Sequence, residues 1–228
     1  MQQLALDFGL APLPSLDNFV AVGNEAALAH LSLWVANPMR APVPTYLWGE
    51  GGCGKTHLLR SVAAALRDQG EAVGWLDASV WQPPVFDEAW RVVVLDDCHL
   101  YTAEQQAAAF NWFVNAQTPV QGRARWVRAA GALPPADLSL REDLRTRLGW
   151  GQVFQLHALA EEQRRAVLRR AADERGVHLS DDVMAFMLNR FSRDLSSLMQ
   201  LLEHLDRFAM RTQRAITIPL IKSMLENE

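Results

Sequence analysis

The sequence predicts an α/β fold, a doubly wound parallel sheet sandwiched by helices, with a small C-terminal helical domain after it. Three observations lead to this prediction. Short apolar runs alternate with helical or irregular segments through the first two-thirds of the chain. A glycine-rich turn joins one apolar run to a helix within residues 45–67. After His157 only helical periodicity remains, which indicates an all-helical C-terminal part of three or four helices.

Each element is predicted from the spacing of its apolar residues. Ala27, Leu28, Leu31 and Val35 recur at steps of three and four, which predicts an amphipathic helix from Asn24 to Val35. Similar spacing predicts further helices, and short apolar runs predict strands. The predicted strands are Thr45–Trp48, Ala72–Leu76, Val92–Leu95, Ala124–Val127 and Val153–Leu156, and the further helices are His57–Arg67, Ala103–Ala116, Glu161–Glu174, Asp182–Phe191 and Asp194–Met210.

Composition excludes several classes of protein. Of the 228 residues, 50% are hydrophobic and 21% are charged, which is typical of a globular protein and not of a disordered or collagen-like chain. The N-terminus lacks a basic segment and no apolar run reaches about 18 residues, so we expect neither a secretory signal nor a membrane span, and a cytoplasmic protein. Residues 1–122 carry a net charge of −7 and the remainder +3, which is not the pattern of a uniformly basic nucleic-acid binder.

A phosphate-binding loop is the most specific motif. Residues 49–56 read Gly-Glu-Gly-Gly-Cys-Gly-Lys-Thr, which has the glycine spacing and the terminal Lys-Thr of such loops. The glycines let successive N–H groups point at a phosphate, the lysine supplies a point charge, and the threonine hydroxyl can bind Mg²⁺. The predicted nucleotide-binding residues of this segment are Gly49, Gly51, Gly52, Cys53, Gly54, Lys55, Thr56 and His57.

A pair of carboxylates follows the predicted strand Val92–Leu95. Asp96 is expected to bind Mg²⁺ together with Thr56, and Asp97 to orient an attacking water as a catalytic residue. An aspartate at a strand end is common by itself, and here the preceding loop motif supports the assignment.

Several segments together resemble the DnaA-like AAA+ family of bacterial replication proteins. They are Leu16–Val20, Gly23–Asn24, Gly49–Thr56, Leu95–Asp97, Pro134–Pro135, Asp143–Gly151 and Arg193–Leu195. The resemblance implies a P-loop AAA+ nucleotide-binding domain over residues 14–157 and a helical lid over residues 158–228. No segment matches the initiator's N-terminal or DNA-binding domain, so the chain is expected to resemble the family's regulatory members, which inactivate the initiator DnaA.

Residues 1–13 are predicted to form an extended arm. Gln3, Leu4, Leu6 and Phe8 are similar to the hexapeptide by which many proteins bind the bacterial sliding clamp, the beta subunit of DNA polymerase III. The alternative is an N-terminal tail that carries a few leucines without function.

The resemblance also implies roles for residues outside the loop. Arg147 matches an arginine that reaches in trans into a neighbouring subunit's nucleotide site, the alternative being a solvated surface arginine. Arg193 matches a second sensor that contacts the phosphates, the alternative being a helix-surface ion pair. Phe19 and Val20 are expected to cover the adenine, or else to belong to the core.

The chain departs from the family at residues 129–132, Ala-Ala-Gly-Ala, where a polar first sensor is usual. We therefore expect a good binder of ADP or ATP with Mg²⁺ and weak autonomous hydrolysis. The expected function is negative regulation of replication initiation, with the sliding clamp and DnaA as partners and DNA reached indirectly through the clamp. A homodimer is left open. The alternatives are an autonomous ATPase that loads helicase or clamp, and a passive adaptor stiffened by nucleotide.

Overall fold

The computed structural model describes residues 13–118, 125–191 and 195–226. The chain divides into two compact units, one of Pro14–Ala158 and one that contains Leu159–Glu228. No helix within the described residues is both long and apolar enough to cross a membrane.

The first unit is built on a five-stranded parallel sheet. Its strands are β1 Thr45–Trp48, β2 Val73–Leu76, β3 Val92–Leu95, β4 Trp126–Gly131 and β5 Gln152–Gln155, in the order β2-β3-β4-β1-β5. Because parallel strands all end at the same edge, the segments that follow β1, β3 and β4 meet there. The predicted α/β fold is thus confirmed.

Helices cover both faces of this sheet. The helices α1 Glu25–Ala36 and α2 Lys55–Asp68 pack on one face, and α3 Ala103–Gln117 and α4 Glu142–Leu148 pack on the other. Residues of β4 contribute to the apolar cores on both faces of the sheet. Trp126 and Ala130 belong to the core under α2, and Val127 and Ala129 belong to the core under α3.

The second unit is helical. Its helices are α5 Glu161–Glu174, α6 Asp181–Arg190, α7 Leu195–Thr212 and α8 Ile218–Glu226. They enclose their own apolar core, in which Leu168, Met184, Leu202 and Leu220 are fully buried. The Ser180 hydroxyl accepts a hydrogen bond from the Val183 N–H and so caps α6.

The structure corrects the sequence prediction at three elements. The strand predicted over Ala124–Val127 runs instead over Trp126–Gly131, because its third residue, Arg128, is buried within the sheet and interrupts the apolar run. The helices α4 and α8 were not identified. Both are shorter than ten residues, which gives periodicity little room to show.

Candidate functional site

The loop of residues 49–54 connects the end of β1 to the start of α2. Gly49, Gly52 and Gly54 have φ of 152°, 79° and 94°, a region that residues with a side chain rarely adopt. A Cβ on Gly49 would lie 2.2 Å from the Leu156 carbonyl oxygen, so a close backbone approach requires glycine there as well. The spacing of glycines in the sequence therefore reflects a real conformational requirement.

Lys55 is the first residue of α2, and its side chain folds back over the loop. Its Nζ donates to the carbonyl oxygens of Gly49 at 2.7 Å and of Glu50 at 3.0 Å, and the residue is 7% exposed. Gly54 precedes the helix in a left-handed conformation without a capping side chain, which leaves the first N–H groups of α2 for a ligand. The Lys55 ammonium group, the N-terminus of α2 and the loop can together bind a chain of phosphates.

Asp96 and Thr56 lie together at the carboxyl edge of the sheet. Asp96 is 2% exposed, its carboxylate lies beside the Thr56 side chain, and it accepts the Asp97 N–H at 3.0 Å. Burial, with the neighbouring Asp97 charge, raises the pKa of Asp96. A hydroxyl and a carboxylate in contact fit Mg²⁺, which prefers oxygen ligands and keeps several waters.

Asp97 follows Asp96 with φ of 49°, a left-handed conformation that aspartate tolerates. At the same edge, β4 ends in Ala130 and Gly131, and a Cβ on Gly131 would lie 2.2 Å from the Tyr46 hydroxyl oxygen. That hydroxyl donates to the Leu133 carbonyl at 2.9 Å. The end of β4 therefore places Ala130 and Gly131, which have no polar side chain, beside the carboxylates of Asp96 and Asp97.

Phe19 packs over the start of α2. A Cβ on Gly54 would lie 2.5 Å from the Phe19 Cε2, and the Phe19 ring lies 5.7 Å from that of His57. The His57 Nε2 is 3.1 Å from the Ser15 carbonyl oxygen. Phe19 and Val20 are both partly exposed. The segment before α1 is therefore attached to the phosphate loop.

Asn24 makes a long-range contact that the sequence did not reveal. An asparagine before a helix usually caps it, but Asn24 makes no capping hydrogen bond. Its amide donates to the His157 carbonyl at 2.9 Å and accepts the His157 N–H at 2.8 Å. This pair ties the start of α1 to the segment after β5, 133 residues away. No local pattern signals such a contact.

Arg147 lies on α4, and two aromatic rings hold its guanidinium group. Its Cζ is 4.8 Å from the centre of the Phe110 ring and 4.9 Å from that of Trp150, and Nη1 donates to the Asp143 carbonyl at 3.3 Å. The Asp143 carboxylate is instead bound by Arg141, at 3.1 and 2.7 Å, which lowers the pKa of Asp143. Within the described residues, no carboxylate forms an ion pair with Arg147.

The surface beside Arg147 is an open cleft of about 510 Å³. It is lined by Arg141, Glu142, Asp143, Thr146 and Arg147. Arg147 is partly exposed, as a residue that contacts another molecule needs to be. The Phe110 contact was not foreseen, because nothing in the sequence relates residue 110 to residue 147.

Some predicted site residues lie outside the described residues. They are Gln3, Leu4, Leu6 and Phe8 of the arm, and Arg193 of the second sensor. Their assignments remain predictions.

Comparison with known proteins gives two family matches and many structural ones. Residues 161–225 match the family model of the Hda lid domain, and residues 11–78 match that of the bacterial DnaA ATPase domain. Domain III of the Thermotoga maritima replication initiation protein DnaA is similar at 20% identity over 95% of this chain and 98% of that chain, with a TM-score of 0.68.

Two further structures illustrate the range of these similarities. AMPPCP-bound DnaA from Aquifex aeolicus is similar at 18% identity over 90% of this chain and 71% of that chain, with a TM-score of 0.65. The Thermotoga maritima RuvB Holliday junction branch migration motor is similar at 21% identity over 96% of this chain and 73% of that chain, with a TM-score of 0.59. At these sequence identities, the structural similarity shows a shared fold and nothing further.

Proposed function

This chain is a DnaA-like AAA+ protein, and from that premise we propose that it is a negative regulator of DNA replication initiation. In this proposal the protein binds ADP or ATP, is attached to the sliding clamp by its N-terminal arm, and meets ATP-loaded DnaA. It then supplies Arg147 in trans, so that DnaA hydrolyses its own ATP. The reaction is completed across an interface between the two proteins.

Nucleotide binding is assigned to the loop of residues 49–54 and the start of α2. Lys55, which now donates to the Gly49 and Glu50 carbonyls, would bind the phosphates of the nucleotide, and Thr56 and Asp96 would hold Mg²⁺. The ion neutralises phosphate charge when it is bound. A similar structure contains DnaA bound to the nucleotide analogue AMPPCP, which supports this assignment.

The observation that carries the regulatory proposal is the arrangement of Arg147. A guanidinium group has five N–H donors, and here one nitrogen donates to the Asp143 carbonyl while two rings restrict the orientation of the group. The pairing of Arg141 with Asp143 keeps that carboxylate occupied. An arginine oriented in advance loses little freedom when it binds the oxygens of a partner's phosphate.

The alanines at residues 129–132 favour action on a partner over autonomous hydrolysis. No side chain of this segment can donate a hydrogen bond to a lytic water. The chain is therefore proposed to retain its nucleotide while it promotes hydrolysis in DnaA.

The arm completes the proposal by bringing the protein to replicating DNA. Gln3 supplies a polar contact, and Leu4, Leu6 and Phe8 supply apolar contacts to pockets on the clamp. DNA is then contacted through the clamp, and no basic surface is required.

Single-turnover hydrolysis of ATP bound to DnaA tests this function. The proposal predicts acceleration when the protein and DNA-loaded clamp are both present, and little ATP turnover by the isolated chain. Rapid turnover by the isolated chain would instead favour an autonomous loader. An unchanged rate of hydrolysis of the ATP bound to DnaA would favour the passive adaptor.

A further inference from the structure

Three arginines gather near the amino-terminal edge of the sheet, opposite the edge that carries the phosphate loop. Arg40 lies between α1 and β1, Arg91 directly precedes β3, and Arg128 in β4 pairs with Thr45, the first residue of β1. We refer to Arg40, Arg91 and Arg128 as the arginine cluster.

Two tryptophan rings join the arginine cluster. The Cζ of Arg128 is 3.6 Å from the centre of the Trp34 ring, and that of Arg91 is 4.9 Å from the centre of Trp126. The Cζ of Arg40 lies near both, at 5.6 and 5.3 Å. The two rings themselves contact edge to face, with centroids 5.5 Å apart. The two rings therefore link the three guanidinium groups, and Arg40 lies near both rings.

Arg128 is the most deeply buried charged residue of the cluster, at 0% exposure. Its Nη1 donates to the carbonyl oxygens of Val43 at 3.1 Å and Val127 at 2.8 Å. Its Nε and Nη2 are buried and have no hydrogen-bond partner among the described residues. Burial, and then the charge of Arg40, lowers the pKa of Arg128 to about 9. No carboxylate of the described residues forms an ion pair with Arg128.

The same deficit extends to the other two arginines. Arg40 Nε and Arg91 Nη1 are also buried without a hydrogen-bond partner in the described part of the chain. Glu71 is the carboxylate that ion-pairs with the cluster in that part, at 3.8 Å from Arg40 Nη1 and 3.4 Å from Arg91 Nε. Three guanidinium groups therefore share one carboxylate, which leaves a net charge of about +2.

The remaining polar neighbours in the described ranges do not neutralise this charge. Gln69 contributes an uncharged amide oxygen to Arg40. His30, which is hydrogen-bonded to the Thr45 hydroxyl, adds no negative charge, and burial followed by the Arg128 charge lowers its pKa. Water molecules could satisfy the free N–H groups but could not balance the charge.

We propose that the arginine cluster binds a small monovalent anion of the size of chloride. An anion accepts several N–H groups at once and also balances the charge, which water does not. A small ion is favoured over a partner's side chain because Arg128 is fully buried and the Arg40 side chain is only 8% exposed. The anion is a structural component of the nucleotide-binding unit, distinct from the phosphate loop.

Thermal unfolding of the full chain in sodium chloride and in sodium gluconate, at equal ionic strength, tests the proposal. Gluconate is a much larger anion than chloride and is not expected to bind a site of chloride size. At a chloride concentration a hundred times the dissociation constant, we expect a Tm higher by about 5–10 °C, with saturation. The experiment is repeated in Lys55→Ala, because the phosphate loop is the other place where an anion can bind. Retention of the chloride effect in that variant is expected, and its loss would contradict the proposal.

Arg128→Met removes the buried cation and keeps an unbranched apolar side chain. It should lose the chloride dependence, while exposed Arg67→Met, the matched control, should keep it. Equal chloride effects in both variants would mean general screening and would overturn the proposal. If Arg128→Met does not fold, crystals of the unchanged protein grown in bromide decide the matter. We expect an anomalous peak between Arg40, Arg91 and Arg128, and its absence in well-ordered density would refute the site.

Discussion

Gly49→Ala probes the backbone geometry of the phosphate loop. Its φ of 152° lies outside the range of residues with a Cβ, which costs about 1–3 kcal/mol. The new Cβ would also lie 2.2 Å from the Leu156 carbonyl oxygen, so the backbone must move by about 1 Å, a strain comparable to overpacking at about 1–3 kcal/mol. The sum of about 4 kcal/mol corresponds to a Tm lower by about 8–16 °C.

The assay is thermal unfolding without nucleotide, with Gly51→Ala as the matched control. Gly51 lies in the same loop, its φ is not in the glycine region, and its Cβ would meet nothing within 4 Å. We expect its Tm to stay constant or to rise by about 2 °C, because alanine restricts the unfolded chain. If Gly49→Ala unfolded at the same temperature as Gly51→Ala, the loop conformation described above would be wrong.

Three further predictions concern nucleotide, clamp and pH. Lys55→Ala should weaken ADP binding severely in calorimetric titration and abolish the rise in Tm on adding nucleotide. Unchanged affinity for ADP would contradict the assignment of the loop to nucleotide binding. Changing Leu4 and Phe8 together to alanine should abolish clamp binding in a surface assay while Tm stays constant, and undiminished binding would reject the arm. Asp96→Asn should raise the nucleotide-free Tm at pH 8, because burial disfavours the carboxylate and raises its pKa. The gain should shrink as the pH falls toward the usual range of carboxyl groups and the native carboxyl takes up its proton. A gain independent of pH would contradict the burial argument.

Local sequence was enough to predict the part of the site that is contiguous in the chain. The loop of residues 49–54, the strand before Asp96 and the helix after Gly54 each carry their own pattern, and the parallel sheet brings them to one edge. The contacts that fix neighbouring residues were not predictable in this way. Asn24 binds His157 and Phe110 binds Arg147, pairs that only the folded chain brings together.

Arg128 shows why one strand was predicted too short. Charged residues are almost never fully buried, and the predicted strand ends before Arg128. Here the strand continues through Arg128 to Gly131, because Trp34 and two carbonyl oxygens contact the guanidinium group inside the core. The exception became visible only in the packing of α1 against β4.

The central claim is tested most directly by Arg147→Ala in single-turnover hydrolysis of DnaA-bound ATP with DNA-loaded clamp. Arg145→Ala on the same helix is the matched control, and Tm, nucleotide affinity and clamp binding are measured on the same preparations. We predict that Arg147→Ala keeps these three properties, with a change in stability below about 0.5–1 kcal/mol, and loses stimulation by about 10³-fold or more, whereas Arg145→Ala stays active. A stable, clamp-binding Arg147→Ala protein with full stimulatory activity would contradict the account.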